Sequence, residues 1–132
     1  MPVGLQSFLH KMSSTYALKL SIAHWKENAC ARTVDEVAIG RKSCALCQIF
    51  FSPDMIYRPE EPCMGCPVQR RTGRQFCVDT PYDSCDTARS KWHRHSKQSG
   101  PTSWYSLLAG AAFRRAARRE VAFLESLLAP TL

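Results

Sequence analysis

Two Cys-x-x-Cys pairs, Cys44/Cys47 and Cys63/Cys66, stand with fifteen residues between them and constrain this chain more than any other feature. A two-residue gap lets both thiolates of one turn reach a single metal ion. The intervening loop then brings the second pair round to complete a tetrahedron. The pattern C-x2-C-x15-C-x2-C lies within the spacing of four-cysteine zinc sites. A site closed by four thiolates has no open position for water or substrate, so the expected Zn2+ is structural. An iron–sulfur cluster takes the same four thiolates and is the alternative occupant. Cys77 follows close behind the second pair and is the alternative metal ligand. Cys30 and Cys85 stand apart and are expected to be small buried or half-buried residues, not ligands.

The metal reading depends on the compartment. The chain has 132 residues and seven cysteines. Its N-terminus lacks a compact apolar region ending in a small-residue cleavage site. No apolar run reaches the roughly 20 residues that a membrane span needs. The expectation is a cytoplasmic protein with no membrane association, whose reduced thiols bind metal instead of pairing as disulfides. One domain is expected: an N-terminal helical segment (1–40), a metal-binding core (41–82) and basic C-terminal helices (83–132). The fold class is mainly α, a small zinc-stabilised domain with N- and C-terminal helices flanking a four-cysteine knuckle pair. A short β-hairpin completes it.

Hydrophobic spacing supplies the elements. Leu5, Phe8, Leu9, Met12 and Tyr16 recur at helical steps, and Leu18, Ile22, Trp25 and Ala29 form a second stripe about half a turn away. Either one helix is apolar on two sides or it breaks near Ser13 and Ser14, and the part from about Thr15 to Ala29 is the firmer. His24 beside Trp25 reads as a helix side chain next to a core aromatic. Thr33-Val-Asp-Glu36 matches a capping box and predicts a short helix through Ile39, stopped by Gly40. Pro53, Pro59 and Pro62 make the stretch before Cys63 a loop. Thr72-Gly73 predicts the turn of a hairpin between Val68 and Phe76. A helix is expected from Asp83 or Ser84 to about Gln98, and a last one capped by Thr102 or Ser103. In that last helix Trp104, Leu107, Leu108 and Ala111 lie on a different face from Phe113, Ala117, Val121, Leu124 and Leu128. Gly110 is the expected place for a bend or register change.

Charge points to the partner. The net charge is +7, and the excess belongs to the second half of the chain. Arg70, Arg71 and Arg74 surround the Thr72-Gly73 turn, and Arg89, Lys91, Arg94 and Lys97 follow on the next helix. Arg114, Arg115, Arg118 and Arg119 occupy the side of the last helix away from Phe113 and Leu124. If these groups converge they neutralise several phosphates, so they are the candidate nucleic-acid contacts; a protein is the other partner class. The oligomeric state is left open. Trp92-His93-Arg94-His95 raises a metal-dependent nuclease as a rival, with a histidine as general base. His93 and His95 are two apart, however, and diverge on a helix. There is no HExxH, no paired catalytic carboxylates and no phosphate-cradling glycine loop. No catalytic residue is assigned, and the reading favours binding over enzymatic activity.

Several segments together carry a family resemblance: Ala23-His24-Trp25-Lys26-Glu27-Asn28, Cys44-Ala-Leu-Cys47, Cys63-Met-Gly-Cys66-Pro67-Val68, Thr72-Gly73, Cys77 with Thr80-Pro81-Tyr82, and Glu120 to Leu128. In these the chain resembles a cysteine-rich family of small proteins from tailed phages and bacterial genomes, over about residues 16 to 128. The resemblance implies a phage or prophage accessory protein working in a bacterial host cell, and it brings no defined activity. Residues 86–104 are more basic here than in that family.

Overall fold

Leu18, Ile22 and Trp25 decide how the N-terminal helix sits, because they share one face and are all buried. The structure, a computed structural model, describes residues 3–40, 43–50, 66–73, 77 and 80–128; side chains are described from residue 15 onward except at 48–50. Helix α1, Val3–Asn28, runs without a break through Ser13 and Ser14. The second stripe is its core face, joined by the buried Ser21 and Asn28. Tyr16, the last member of the first stripe, is exposed.

Thr33 caps a single 3-10 turn, Val34–Glu36, in which the Glu36 carboxylate accepts from the Thr33 amide at 3.4 Å and the Arg32 amide at 2.5 Å. The helix expected to reach Ile39 stops at Glu36, and Val37 is extended. The cause is a competing partner: Asn28 binds both the N–H and the C=O of Ala38. Those two groups are thereby lost to a helical ladder.

Two six-residue helices follow, α2 (Ala45–Phe50) and α3 (Pro67–Thr72). Helix α3 corrects the expected hairpin. Pro67 sits in its first turn, and Gly73 ends it in the left-handed region at φ 72°, its amide bound to the Gln69 carbonyl. The Thr72-Gly73 signal thus marks a helix C-terminus, a position glycine favours for the same conformational reason as a hairpin turn. No strand occurs among the described residues. Residues 74–76 and the loop with Pro53, Pro59 and Pro62 lie outside them.

Helix α4, Pro81–Ser99, starts slightly earlier than expected because the Thr80 hydroxyl accepts from the Tyr82 amide and Pro81 supplies a preset φ. Helix α5, Trp104–Ser126, is capped by Ser103, which accepts from the Ser106 amide at 3.2 Å. The Ser106 hydroxyl reaches back to the Gly100 carbonyl at 2.6 Å and pins the connection. The short link makes α4 and α5 an antiparallel pair. This is the most extensive helix–helix contact of the fold, and α1 packs on α5 and α2. Cys85 and Trp92 face the inner side of α5, where Phe113, Ala116 and Ala117 are essentially inaccessible to water. Trp25 meets Tyr82 edge to face at 6.0 Å, tying α1 to the start of α4.

Helix α5 runs through Gly110 without a break. A Cβ there would come within 2.8 Å of Trp92 Cε2, so the missing side chain is where the indole ring lies. Trp104, Leu107 and Leu108 are then left outside the core, at 70%, 54% and 51% exposure. No described helix is long and apolar enough to cross a membrane.

Candidate metal-binding cysteines and cationic face

Cys44 immediately precedes α2 and Cys47 lies in its first turn, which brings the two thiols of the first pair together. The Cys44 thiol is held down to about 6, first by a hydrogen bond from the Cys47 side chain. Burial opposes the shift; the Cys47 amide, the Ser21 hydroxyl and the Leu46 amide reinforce it. The Ser21 hydroxyl of α1 lies 3.7 Å from the Cys44 sulfur. A deprotonated thiol with fixed donors is the state a metal ion binds without further proton loss.

The second pair is described in part. Cys66 is the N-terminal residue flanking α3; it is buried, and its carbonyl accepts from the Arg70 amide at 2.9 Å. Its predicted partner Cys63 lies outside the described residues. Among the described residues no three His, Cys, Asp or Glu side chains form a group able to hold a metal ion. The structure thus brings Cys44 to Cys47 and does not bring Cys66 or Cys77 into a three-donor cluster with them.

Cys77 has a backbone of its own kind. Its φ is 59°, the left-handed region that residues with a Cβ seldom adopt, and its carbonyl accepts from the Thr80 hydroxyl at 2.7 Å. It lies on the side of the first pair. The Tyr82 phenol is pushed up to about 12, mainly by burial, then by Asp86, and then by the charges of Cys77, Cys47 and Cys44. Cys85 is fully buried, as expected, and its thiol is raised to about 12, chiefly by desolvation. Cys30 departs from expectation and is exposed, because it sits in the turn that ends α1.

The candidate cations divide by role. Lys91, Arg94 and Lys97 on α4 and Arg115, Arg118 and Arg119 on α5 are exposed. Arg114 is half-buried: it donates to the Ala31 carbonyl at 3.0 Å and lies over the Trp92 ring at 5.8 Å. That makes it a tie between α5 and the end of α1. Arg71 donates to the Ser126 carbonyl at 3.4 Å, and Arg89 is half-buried with a buried Nε lacking a partner. Arg70 is exposed on α3, and Arg74 lies outside the described residues. From Thr87 to Arg119 the chain has eight Lys/Arg and no Asp or Glu.

In the Trp-His-Arg-His run, Trp92 is core, and His95 stacks on Tyr105 at 5.8 Å with 18° between the rings. His24 bonds the Ala38 carbonyl at 2.6 Å through Nε2, a structural tie in keeping with its reading as a helix side chain beside Trp25.

Glu120 was not legible as a special residue. It is buried on the inner face of α5, its Oε2 has no hydrogen-bond partner among the described residues, and its carboxyl is pushed up to about 7. Burial is the main cause, followed by the charges of Cys44 and Asp83. The only sequence cue was its position in register with Phe113, Ala117 and Leu124. Compared with known proteins, the chain matches no family model, no curated protein and no solved structure.

Proposed function

We propose that this chain is a non-enzymatic binding protein closed by a structural zinc, engaging an acidic partner through the outward faces of α4 and α5. The observation that carries the reading is the run of exposed Lys91, Arg94, Lys97, Arg115, Arg118 and Arg119 within a stretch free of carboxylates. Cations in excess along a helix pair create a field that an anionic protein surface or a nucleic-acid backbone neutralises. Zinc would be held by Cys44, Cys47, Cys63 and Cys66, with Cys77 the alternative fourth donor. Supporting this are the lowered Cys44 thiol beside Cys47 and Ser21 and the shared influence of Cys77 and that pair on Tyr82. The metal's role in this reading is to fix the segment between α1 and α4 by ligation, contributing folding energy and no chemical step. The resemblance to small phage proteins fits an accessory role in a bacterial host.

The test is titration of the protein into a labelled oligo-dT and into poly-glutamate, each over a range of salt. Binding to at least one, weakening steeply as salt rises, is expected. Arg115→Glu with Arg118→Glu and Arg119→Glu should abolish it with the circular dichroism spectrum unchanged. No binding to either polyanion at low salt contradicts the reading.

A further inference from the structure

The first turns of α5 carry four large apolar side chains that the core does not use. Trp104, Tyr105, Leu107 and Leu108 are 70%, 62%, 54% and 51% exposed, while Ser106, Ala109, Gly110 and Phe113 take the buried side. Contiguous exposed apolar surface of this kind marks an interaction site, and scattered single residues do not. The patch is also built. The ring of Tyr105 is braced by His95 of α4, and between them Ala88, Leu108, Ala109 and Ala112 line a shallow groove edged by Lys91.

Farther along the outward stripe of α5 the residues change character. Beyond Ala111 on the same stripe come Arg115, Arg118 and Arg119, all exposed. The outward stripe of α5 is therefore apolar toward the α4–α5 turn and cationic beyond Ala111. From Trp104 to Arg119 the stripe is about 22 Å long, the length of about four helical turns.

Complementarity selects the occupant. A nucleic-acid strand would use the arginines and stack on aromatic faces. It would gain nothing from Leu107 and Leu108, and one face of Tyr105 is already taken by His95. A second copy of the chain fits no better. Placed antiparallel, it sets the arginines of each copy against the apolar end of the other; placed parallel, it sets arginine against arginine. We infer that the outer face of α4–α5 docks an amphipathic helix of a partner protein, with apolar anchors over Trp104, Leu107 and Leu108 and Asp or Glu residues over Arg115, Arg118 and Arg119. This rests on the binding reading above and names the partner class. Trp and Arg are the residue types that most often dominate such interfaces.

The probe is a designed sixteen-residue amphipathic peptide, leucines in its first half and glutamates in its second, assayed with full-length metal-loaded protein by fluorescence anisotropy. A peptide with the two halves exchanged and an oligo-dT strand are the comparisons. Salt-sensitive binding of the designed peptide is expected, weakened roughly tenfold by Trp104→Ala with Leu108→Ser and by Arg115→Glu with Arg118→Glu. All four positions are exposed, so the fold is not at stake, and circular dichroism checks this. Equal binding of the exchanged peptide, or no peptide binding, overturns the inference. Oligo-dT binding lost with Arg115→Glu and Arg118→Glu but indifferent to Leu108→Ser assigns the face to nucleic acid: the inference then fails while the broader binding reading stands. A dimer in sedimentation that Trp104→Ala dissolves overturns it in favour of a second copy. Absence of binding to the peptide, to oligo-dT and to poly-glutamate alike removes the broader reading as well.

Discussion

The side-chain amide of Asn28 pairs with both backbone groups of Ala38, donating to its carbonyl at 3.0 Å and accepting from its N–H at 3.2 Å. Asn28 is the last residue of α1 and is buried, so this pair fixes where the chain goes after the helix ends. His24 adds a second bond to the same carbonyl. Asn28→Ala leaves the Ala38 N–H without its partner in a partly buried place, and a loss of about 2–3 kcal/mol in urea unfolding is expected. His24→Ala should cost less, since the Ala38 carbonyl keeps its bond from Asn28. Equal losses for the two substitutions would show that Asn28 is not the dominant tie.

Gly110 of α5 packs directly against the indole of Trp92 of α4. The Cβ of Gly110→Ala would stand 2.8 Å from Cε2 and 2.9 Å from Cζ2 of an indole that is itself buried, so one of the two helices must shift. The expected cost is about 1–3 kcal/mol, although alanine is the better helix former by about 1 kcal/mol. Trp92→Phe removes the atoms that clash and should recover part of the loss in a double-mutant cycle. A neutral or stabilising Gly110→Ala would mean the helices are not packed this closely.

Glu120 makes stability depend on pH. Its carboxyl moves from an ordinary value of 4.5 to about 7 in the folded chain, so the folded state holds the proton more tightly than the unfolded state. The contribution to stability is complete below about 4.5, declines as pH rises toward 7 and stays lost above it. Glu120→Gln should therefore raise stability by about 2–3 kcal/mol above pH 7 and change little at pH 4. Denaturation of the two proteins at several pH values checks this, and a gain independent of pH would contradict it.

Much of the helical frame was legible because caps and buried stripes are local signals. Thr33 with Glu36, and Ser103, bracket elements whose hydrogen bonds are made by the very side chains that mark them, whereas the Thr80–Pro81 start of α4 was missed. The stripe Leu18, Ile22 and Trp25, and that of Phe113, Ala117 and Leu124, are core as spacing required. What failed depends on distant partners. Ile39 lies beyond the 3-10 turn because Asn28, ten residues before Ala38, holds that backbone. Gly73 ends a helix, a place that suits positive φ as well as a hairpin does. Gly110 read as a bend or register change because nothing in its neighbourhood along the chain announces Trp92. Arg114 reads like its neighbours Arg115 and Arg118 and yet spends its charge on Trp92 and Ala31. Of the cysteine set, the Cys44–Cys47 pairing follows from one turn of chain, whereas the approach of the second pair is a tertiary matter that spacing alone does not determine.

The most direct measurement is metal content together with a visible absorption spectrum, on protein purified anaerobically without a polyhistidine tag. The account predicts one zinc per chain, no visible band, and loss of both the zinc and the folded structure in Cys47→Ser. Protein that is folded without metal, or brown protein with stoichiometric iron and sulfide, would contradict it.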